Sequence, residues 1–538
     1  DALLGFPVKD RDYVVVGAGA AGCVLAARLV NSGATVALIE RGRQDTNRWI
    51  HAPATFFKVL QSQDADVVLS EPDASLNGAR FPVPQGKVMG GGSSVNGMLY
   101  MRGQAQDYQE WVDNHGCVGW GYSDVLPTYM KQERNTTLGA PFHGQSGPMV
   151  VDYASEPHPV CEQIIAASVE AGIPRNDDFN GATQEGAGWY QVMAFGGQRQ
   201  SAAYAFLRPV KDQPNLTVYT HTLARRVVCQ AGRATGVEVQ RENGQVLVVG
   251  ASKEVILTAG SFHSPKLLML SGIGPAAELN RHAIDVVRNL PEVGANYHDH
   301  VGCPVTFKLK GALGLHGHDK GLKALKHGID YFVFKQGLLT SNLLQAGACV
   351  DTDGDGRPDV QYNCAPFAPG APGQPPLPFH ALQIHPMTMR PRSRGRLGLQ
   401  SANPADAPRF EAAVLAHPDD LDTLRRGVRM AQRIGAQASL RDVIQGPAWP
   451  PTGTHTSTAN DAFDNAIRAQ ARTIYHPAGT CRMGPGGDAV VDLTLRVNGV
   501  QGLRVADCSV MPQLTSGNTC APTMMIADRC ADLILADH

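Results

Sequence analysis

Two kinds of chemistry stand out in the residue order. In TIYHPAGTCRMG, residues 473–484, His476 stands directly before Pro477. Proline biases the residue before it toward extended backbone and ends regular structure, which puts this imidazole at the tip of an ordered loop. With an unperturbed pKa of about 6.5, histidine is the side chain best able to accept a proton near neutrality. The second signal is glycine spacing. Gly17, Gly19 and Gly22 form G-x-G-x-x-G around Ala20 and Ala21, and Glu40 and Arg41 stand about 20 residues on. The first glycine permits a tight turn, the second lets backbone approach a pyrophosphate, and the third lets helix and strand pack closely. Free N–H groups at the helix start face the phosphates, and Glu40 suits ribose hydroxyls while disfavouring a 2′-phosphate. This unit fits NAD and FAD equally.

The elements that must carry these groups are legible around them. The β-branched run over 13–16 predicts a buried parallel strand, the apolar pattern through Val24, Leu25, Ala27 and Leu29 predicts a helix ending at Asn31-Ser32-Gly33, and 35–39 predicts a second strand. The stretch GKVMGGGSSVNGMLYMRG has little side chain to bury. It suits backbone pressed against a flat or phosphorylated ligand, with Gly90, Gly91 and Gly97 giving room, Ser93, Ser94 and Asn96 giving hydrogen bonds, and Met98 adding apolar weight. A strand over 255–259 leads into GSFHSPKLLMLSGIG, where Ser264 reads as an N-cap and Pro265 as the first helical residue. Near the end, a strand over 503–506 delivers Asp507 at its carboxyl end, where ligands of open α/β sheets bind, and a helix over 523–534 follows Pro522.

Composition narrows the classes. At 538 residues the chain holds two to four substructures at roughly 150 residues each. A net charge of −2 leaves no electrostatic footprint for nucleic acid. The 58 glycines and 36 prolines suit a loop-rich α/β chain, and 11 cysteines without a CxxC pair read as reduced thiols of a cytoplasmic enzyme. No stretch reaches the roughly 18 apolar residues of a membrane span, so no integral segment is expected. Peripheral membrane association, oligomeric state and a leader removed before Asp1 stay open. No metal is expected. The pairs His298/His300 and His316/His318 read as loop histidines, and DTDGDGRPD, residues 351–359, as a solvated turn because Tyr362 stands where a calcium loop needs its bidentate Glu.

Taken together, the segments over 90–96 and 260–274, with GWGYSDVLPTYMKQE, FHGQSGP, LPEVGANYHDH and RPRSRGRLGL, resemble the glucose-methanol-choline (GMC) oxidoreductases nearly end to end. The resemblance implies an α/β fold: a Rossmann-like FAD-binding domain over 10–150, 201–305 and 476–538, and a discontinuous α+β substrate domain on an antiparallel sheet over 151–200 and 306–475. It implies FAD as cofactor, with Val227, Ala259, Thr519, Pro522 and Thr523 joining the cofactor residues above. The helix following Pro522 is expected under the flavin, its positive end favouring negative charge near N1. Some members bond FAD covalently through a histidine where this chain has Val95, so the cofactor is expected without a covalent link. Motif matching assigns His476 as the base and Asn518 as its hydrogen-bonding partner while a hydride passes from the alcohol carbon to flavin N5.

The substrate expected is a small-molecule alcohol, primary and uncharged, aliphatic or aryl. Cavity residues are expected from 339–345 and 363–367, with Gln345, Phe367 and Tyr475 singled out; neutral Gln345 stands near where choline-oxidising relatives carry a Glu. The tract over 368–378 reads as a surface loop or lid. Dioxygen and a quinone are both open as electron acceptor. The rival reading is an FAD-containing lyase of the hydroxynitrile type using the same histidine. A light-driven decarboxylase is disfavoured, since members of that type lack both groups found here at His476 and Asn518.

Overall fold

The computed structural model describes residues 10–369, 376–450 and 461–537. Five strands form a parallel sheet in the order Leu216–Tyr219, Val36–Ile39, Arg11–Val16, Val246–Leu257, Leu503–Val505. Val14 pairs with Ala37 on one side and Val255 on the other, and Leu257 pairs with Val505. Val36 to Ile39 are all buried, as expected when helices cover both faces of a parallel sheet. The strand read over 255–259 is longer than its apolar tail indicated. Its first half pairs antiparallel with Arg233–Arg241, which pairs with Thr222–Gln230, so half-exposed residues are held by backbone ladders rather than by burial.

The helix Ala20–Asn31 follows the first strand and packs against the C-terminal helix Cys520–Asp537. Arg28 ties the two through Asp528 and through Asp532 at 2.6 Å. The C-terminal helix begins three residues earlier than the sequence predicts and carries Pro522 within its first turn, where proline lacks only an N–H that needs no partner. The helix Gly260–Leu270 differs more: it starts at Gly260, and Ser264 and Pro265 lie inside it. Proline there leaves the carbonyl of Ser261, four residues back, without its helical donor. The Thr480 hydroxyl, in the loop of His476, donates to that carbonyl at 2.7 Å.

The second sheet is antiparallel: Ile444–Trp449, Val305–Leu309, Ala381–Thr388, Val360–Ala365, Ala346–Val350, Gly186–Trp189. Short strands Val301–Gly302 and Arg472–Thr473 extend it beside Met387. Alternation sorts its side chains: Val360, Tyr362, Cys364, Leu382 and Ile384 enter a core under the helices Pro159–Glu170 and Pro418–Gly435. The opposite face looks toward the first sheet. We propose the two sheets as the two domains; Val301–Gly302, together with Val68, Leu76, Phe81 and Val83 in the second core, then falls outside the boundaries expected from sequence.

Candidate active site

Because neighbouring strands of the first sheet are parallel, their carboxyl ends deliver Gly17, Glu40, Ala259 and Asp507 to one edge, and all four line a cavity of about 370 Å³. Glu40 is buried, its Oε2 accepting from the Ala18 amide at 2.9 Å and its Oε1 from the Gly42 amide at 2.7 Å. Burial pushes its carboxyl pKa up, against the pull of those amides. Asp507 accepts from the Ser264 hydroxyl at 2.6 Å and from the Gly260 and Ser509 amides, each at 2.8 Å. Gly19 caps the helix Ala20–Asn31 without any side-chain cap, and Gly19, Ala20 and Ala21 line the cavity there. The backbone is close enough to exclude side chains. A Cβ on Gly17 would lie 2.6 Å from the Thr258 carbonyl, and one on Gly91, at φ +49°, 2.7 Å from the Gly19 Cα. Gly91, Ser93, Val95, Asn96, Gly97 and Met98 line the same wall. His263 joins it with a buried Nε2 that has no partner among the described residues. An open helix start, a crowded glycine cradle and this unsatisfied nitrogen together fit a dinucleotide.

The cavity is also lined by His476 and Asn518. The loop of His476 is pinned from several sides. Its amide donates to Asp299 Oδ1 at 2.9 Å, the Ser261 hydroxyl donates to the Pro477 carbonyl at 2.8 Å, and Ala478 exchanges backbone bonds with His298. Burial raises the Asp299 pKa to about 7. His476 Nδ1 meets His300 Nδ1 at 2.9 Å, and His476 Nε2 meets Asn518 Nδ2 at 3.2 Å. His300 Nε2 lies 3.0 Å from the Met389 carbonyl, and Asn518 Oδ1 accepts from Gln361 Nε2 at 3.1 Å.

These contacts allow one order of protons. A carbonyl only accepts, so His300 carries its proton on Nε2 and presents a bare Nδ1. His476 must then donate from Nδ1, which leaves the lone pair on Nε2, facing the amide N–H of Asn518. Burial and the neighbouring His300 hold the His476 pKa well below the usual histidine value, and burial brings His300 to about 4. The pair is neutral at pH 7, with a basic nitrogen aimed into the cavity.

The second sheet supplies the rest of the wall. Asn363 and His385 are cross-strand partners, as are Ala365 and Gln383, and alternation puts all four on the cavity side with Gln361 beyond them. Burial drives the His385 pKa down to about 3, and its Nε2 has no partner among the described residues. Phe56, Phe57, Leu60, Leu344, Phe367 and Tyr475 add an apolar surface, with the Phe57 and Phe367 rings edge to face at 5.1 Å.

Several residues singled out from sequence stand elsewhere. Gln345 is not a cavity residue: its amide donates to the carbonyls of Ser155 and Glu156 and to the Ser341 hydroxyl, while its oxygen accepts from the His158 amide. Val227 lies in the antiparallel meander, its amide bonded to the Ser271 hydroxyl, and Thr222, Leu223 and Ala224 line the cavity instead. Pro522, Gly22, Gly90 and Ser94 lie behind the wall. Gly22 packs on the Gly17 carbonyl, and Ser94 donates to the Met89 carbonyl at 2.7 Å. Arg41, Thr519 and Thr523 do line the cavity. His298 and His300 are loop histidines, both buried. His263, Lys266 and His385 line the cavity, and His300 and Gln361 stand behind it against His476 and Asn518, though none of the five is singled out from sequence as a site residue. In residues 351–359 the ligand atoms of Asp351, Asp353 and Asp355 lie within 4.8 Å of one another, while Asp351 closes on the Gly354 and Gly356 amides. Of the tract over 368–378, residues 370–375 lie outside the described residues.

Comparison with known proteins agrees with this architecture. The GMC oxidoreductase family matches residues 11–302 with its N-terminal part and 391–527 with its C-terminal part. The chain is 38% identical over 538 residues to an alcohol dehydrogenase [acceptor] of Pseudomonas putida, covering 97% of this chain and 95% of that one. It is 38% identical to an oxygen-dependent choline dehydrogenase of Rhizobium meliloti, covering 98% and 96%. The crystal structure of pyridoxine 4-oxidase from Mesorbium loti superposes with a TM-score of 0.88 at 28% identity, covering 98% and 99%. No helix among the described residues is long and apolar enough to cross a membrane. With the cradle, the imidazole and these matches in one chain, the protein belongs to the GMC oxidoreductase family and is an FAD oxidoreductase acting on CH–OH donors.

Proposed function

We propose that the protein oxidises a primary, uncharged alcohol, aliphatic or aryl, to its aldehyde, with His476 as base and Asn518 as hydrogen-bonding partner. The observation that supports this most is the bare Nε2 of His476 beside the Asn518 amide in the cavity. Held FAD supplies the two-electron acceptor for the hydride leaving the carbinol carbon. Gly17, Gly19, Ala20, Ala21, Glu40, Arg41, Gly91, Ser93, Asn96, Gly97, Met98, Ala259, Asp507, Thr519 and Thr523, all lining the cavity, would hold it, without a covalent link at Val95. His476 Nε2 takes the hydroxyl proton, and the Asn518 N–H donates to the substrate oxygen as charge builds there, so neither an alkoxide nor an oxonium need form alone.

The charge of the substrate is argued from the wall. Among the described residues the only carboxylates lining the cavity are Glu40 and Asp507, both engaged by backbone amides at the parallel sheet, and Arg472 lines it beside Thr473. A trimethylammonium group finds no carboxylate there. Phe57, Phe367 and Tyr475 do offer aromatic faces to such a cation, which keeps choline as the second reading. Anaerobic mixing of holoenzyme with medium-chain and aryl primary alcohols and with choline, in the dark, tests both. Bleaching of the flavin by the alcohols and not by choline supports the proposal, bleaching by choline alone transfers it to the second reading, and a flavin that stays yellow throughout points to a lyase.

A further inference from the structure

The helix Gly321–Phe332 is turned the wrong way round for an ordinary surface helix. Tyr331 is buried, its hydroxyl donating to the His51 carbonyl at 3.2 Å, and Phe332 packs edge-on against Trp49 with ring centroids 5.7 Å apart. On the side opposite Tyr331, Leu322 is 84% exposed, Leu325 60% and Ile329 45%, and the chain continues with Val333 at 65% and Phe334 at 61%. Steps of three and four residues stack Leu322, Leu325, Ile329 and Val333 into one stripe. Single exposed leucines are ordinary on a folded surface; a continuous apolar stripe facing water is not.

The exposed charges around it are mostly positive. Lys320, Lys323, Lys326 and Lys335 are exposed along the helix and its ends. Of the two acids in the same segment, Asp330 is held by Lys326 Nζ at 2.6 Å and Asp319 stands at the helix entrance. The Arg48 guanidinium lies 5.1 Å from the Phe332 ring, and Lys58 Nζ lies 5.6 Å from the Trp49 ring. Long basic side chains whose stems run along an apolar stripe and whose heads stay in water suit the headgroup level of a bilayer. The stripe is the convex face of a helix, not a groove, which favours a planar lipid surface over a peptide.

We propose that this helix and the turn after it seat the protein on a membrane surface carrying anionic lipid, the stripe entering the headgroup boundary and the basic rim meeting the lipid charge. The helix rests on Trp49, and the adjoining helix Phe56–Leu60 contributes Phe56, Phe57 and Leu60 to the cavity wall, so the seated face adjoins the apolar side of the site.

The test is co-sedimentation of FAD-loaded protein with vesicles of phosphatidylcholine mixed with phosphatidylglycerol, and of phosphatidylcholine alone. At low salt the mixed vesicles should carry down at least about tenfold more protein, and high salt should weaken this. The double variant Leu322→Glu, Leu325→Glu should lose at least about tenfold of the bound fraction, with FAD content and melting temperature unchanged because both side chains point into solvent. Equal recovery with both vesicle types, no recovery with either, or a variant that binds as wild type overturns the proposal. So does a concentration-dependent dimer in sedimentation velocity that the double variant dissociates, which would assign the stripe to a second copy of the chain.

Discussion

Replacing His300 by leucine tests the proton order at its source. In the structure His300 Nδ1 is the acceptor that holds the His476 proton on Nδ1, 2.9 Å away and fully buried. Leucine removes that acceptor, so the reactive tautomer of His476 must leave a buried N–H unpaired, at about 1–3 kcal/mol. The other tautomer puts the proton on Nε2, where it blocks the lone pair that takes the alcohol proton. At about 1.4 kcal/mol per tenfold, the penalty corresponds to a loss of roughly 5- to 150-fold in the rate of anaerobic flavin reduction. Alcohol affinity, read from the concentration dependence of the same traces, should stay within about twofold, because His300 is one residue removed from the substrate. His300→Asn presents a carbonyl oxygen close to where Nδ1 stood and should recover most of the rate. A leucine variant as fast as wild type, or an asparagine variant as slow as leucine with FAD content intact, refutes the reasoning.

Other consequences can be checked in parallel. Burial holds the His476 pKa below the ordinary histidine value, so its unprotonated, working form persists as pH falls through 6.5; stopped-flow reduction rates should stay level from pH 8 to about 6.5 and decline only at lower pH. Glu40→Ala strips a carboxylate from two backbone amides and from the cofactor, which should weaken FAD retention by about tenfold or more, read by fluorescence titration of apoprotein. Gly91→Ala forces a Cβ toward the Gly19 Cα at a positive φ, so purified protein should emerge with markedly less FAD per chain while its far-ultraviolet spectrum is unchanged.

What could be read from residue order alone follows the range of the forces involved. The turn at Gly17, the strand Val36–Ile39 and Glu40 were legible because each depends on neighbours within about one βαβ unit. Pro265 was misplaced for the opposite reason. A local rule puts proline at a helix start, but Ser261 and Thr480, far apart in the chain, satisfy the carbonyl that an internal proline leaves open. His300 gave no local sign of its part: its partners, His476 and the Met389 carbonyl, are brought beside it by the pairing of Val301–Gly302 with Thr473 and Met387. Gln345 sits in a stretch that does reach the cavity through Leu344, but it lies in the loop just before the strand Ala346–Val350, and its own side chain is held by the carbonyls of Ser155 and Glu156.

The central claim is that His476 Nε2 accepts the alcohol proton as the flavin is reduced. Rapid anaerobic mixing of His476→Ala holoenzyme with a primary alcohol that bleaches the wild type addresses it most directly. The account predicts reduction slowed by at least about 10²-fold with FAD still bound, as for loss of a general base. Reduction at the wild-type rate would contradict it.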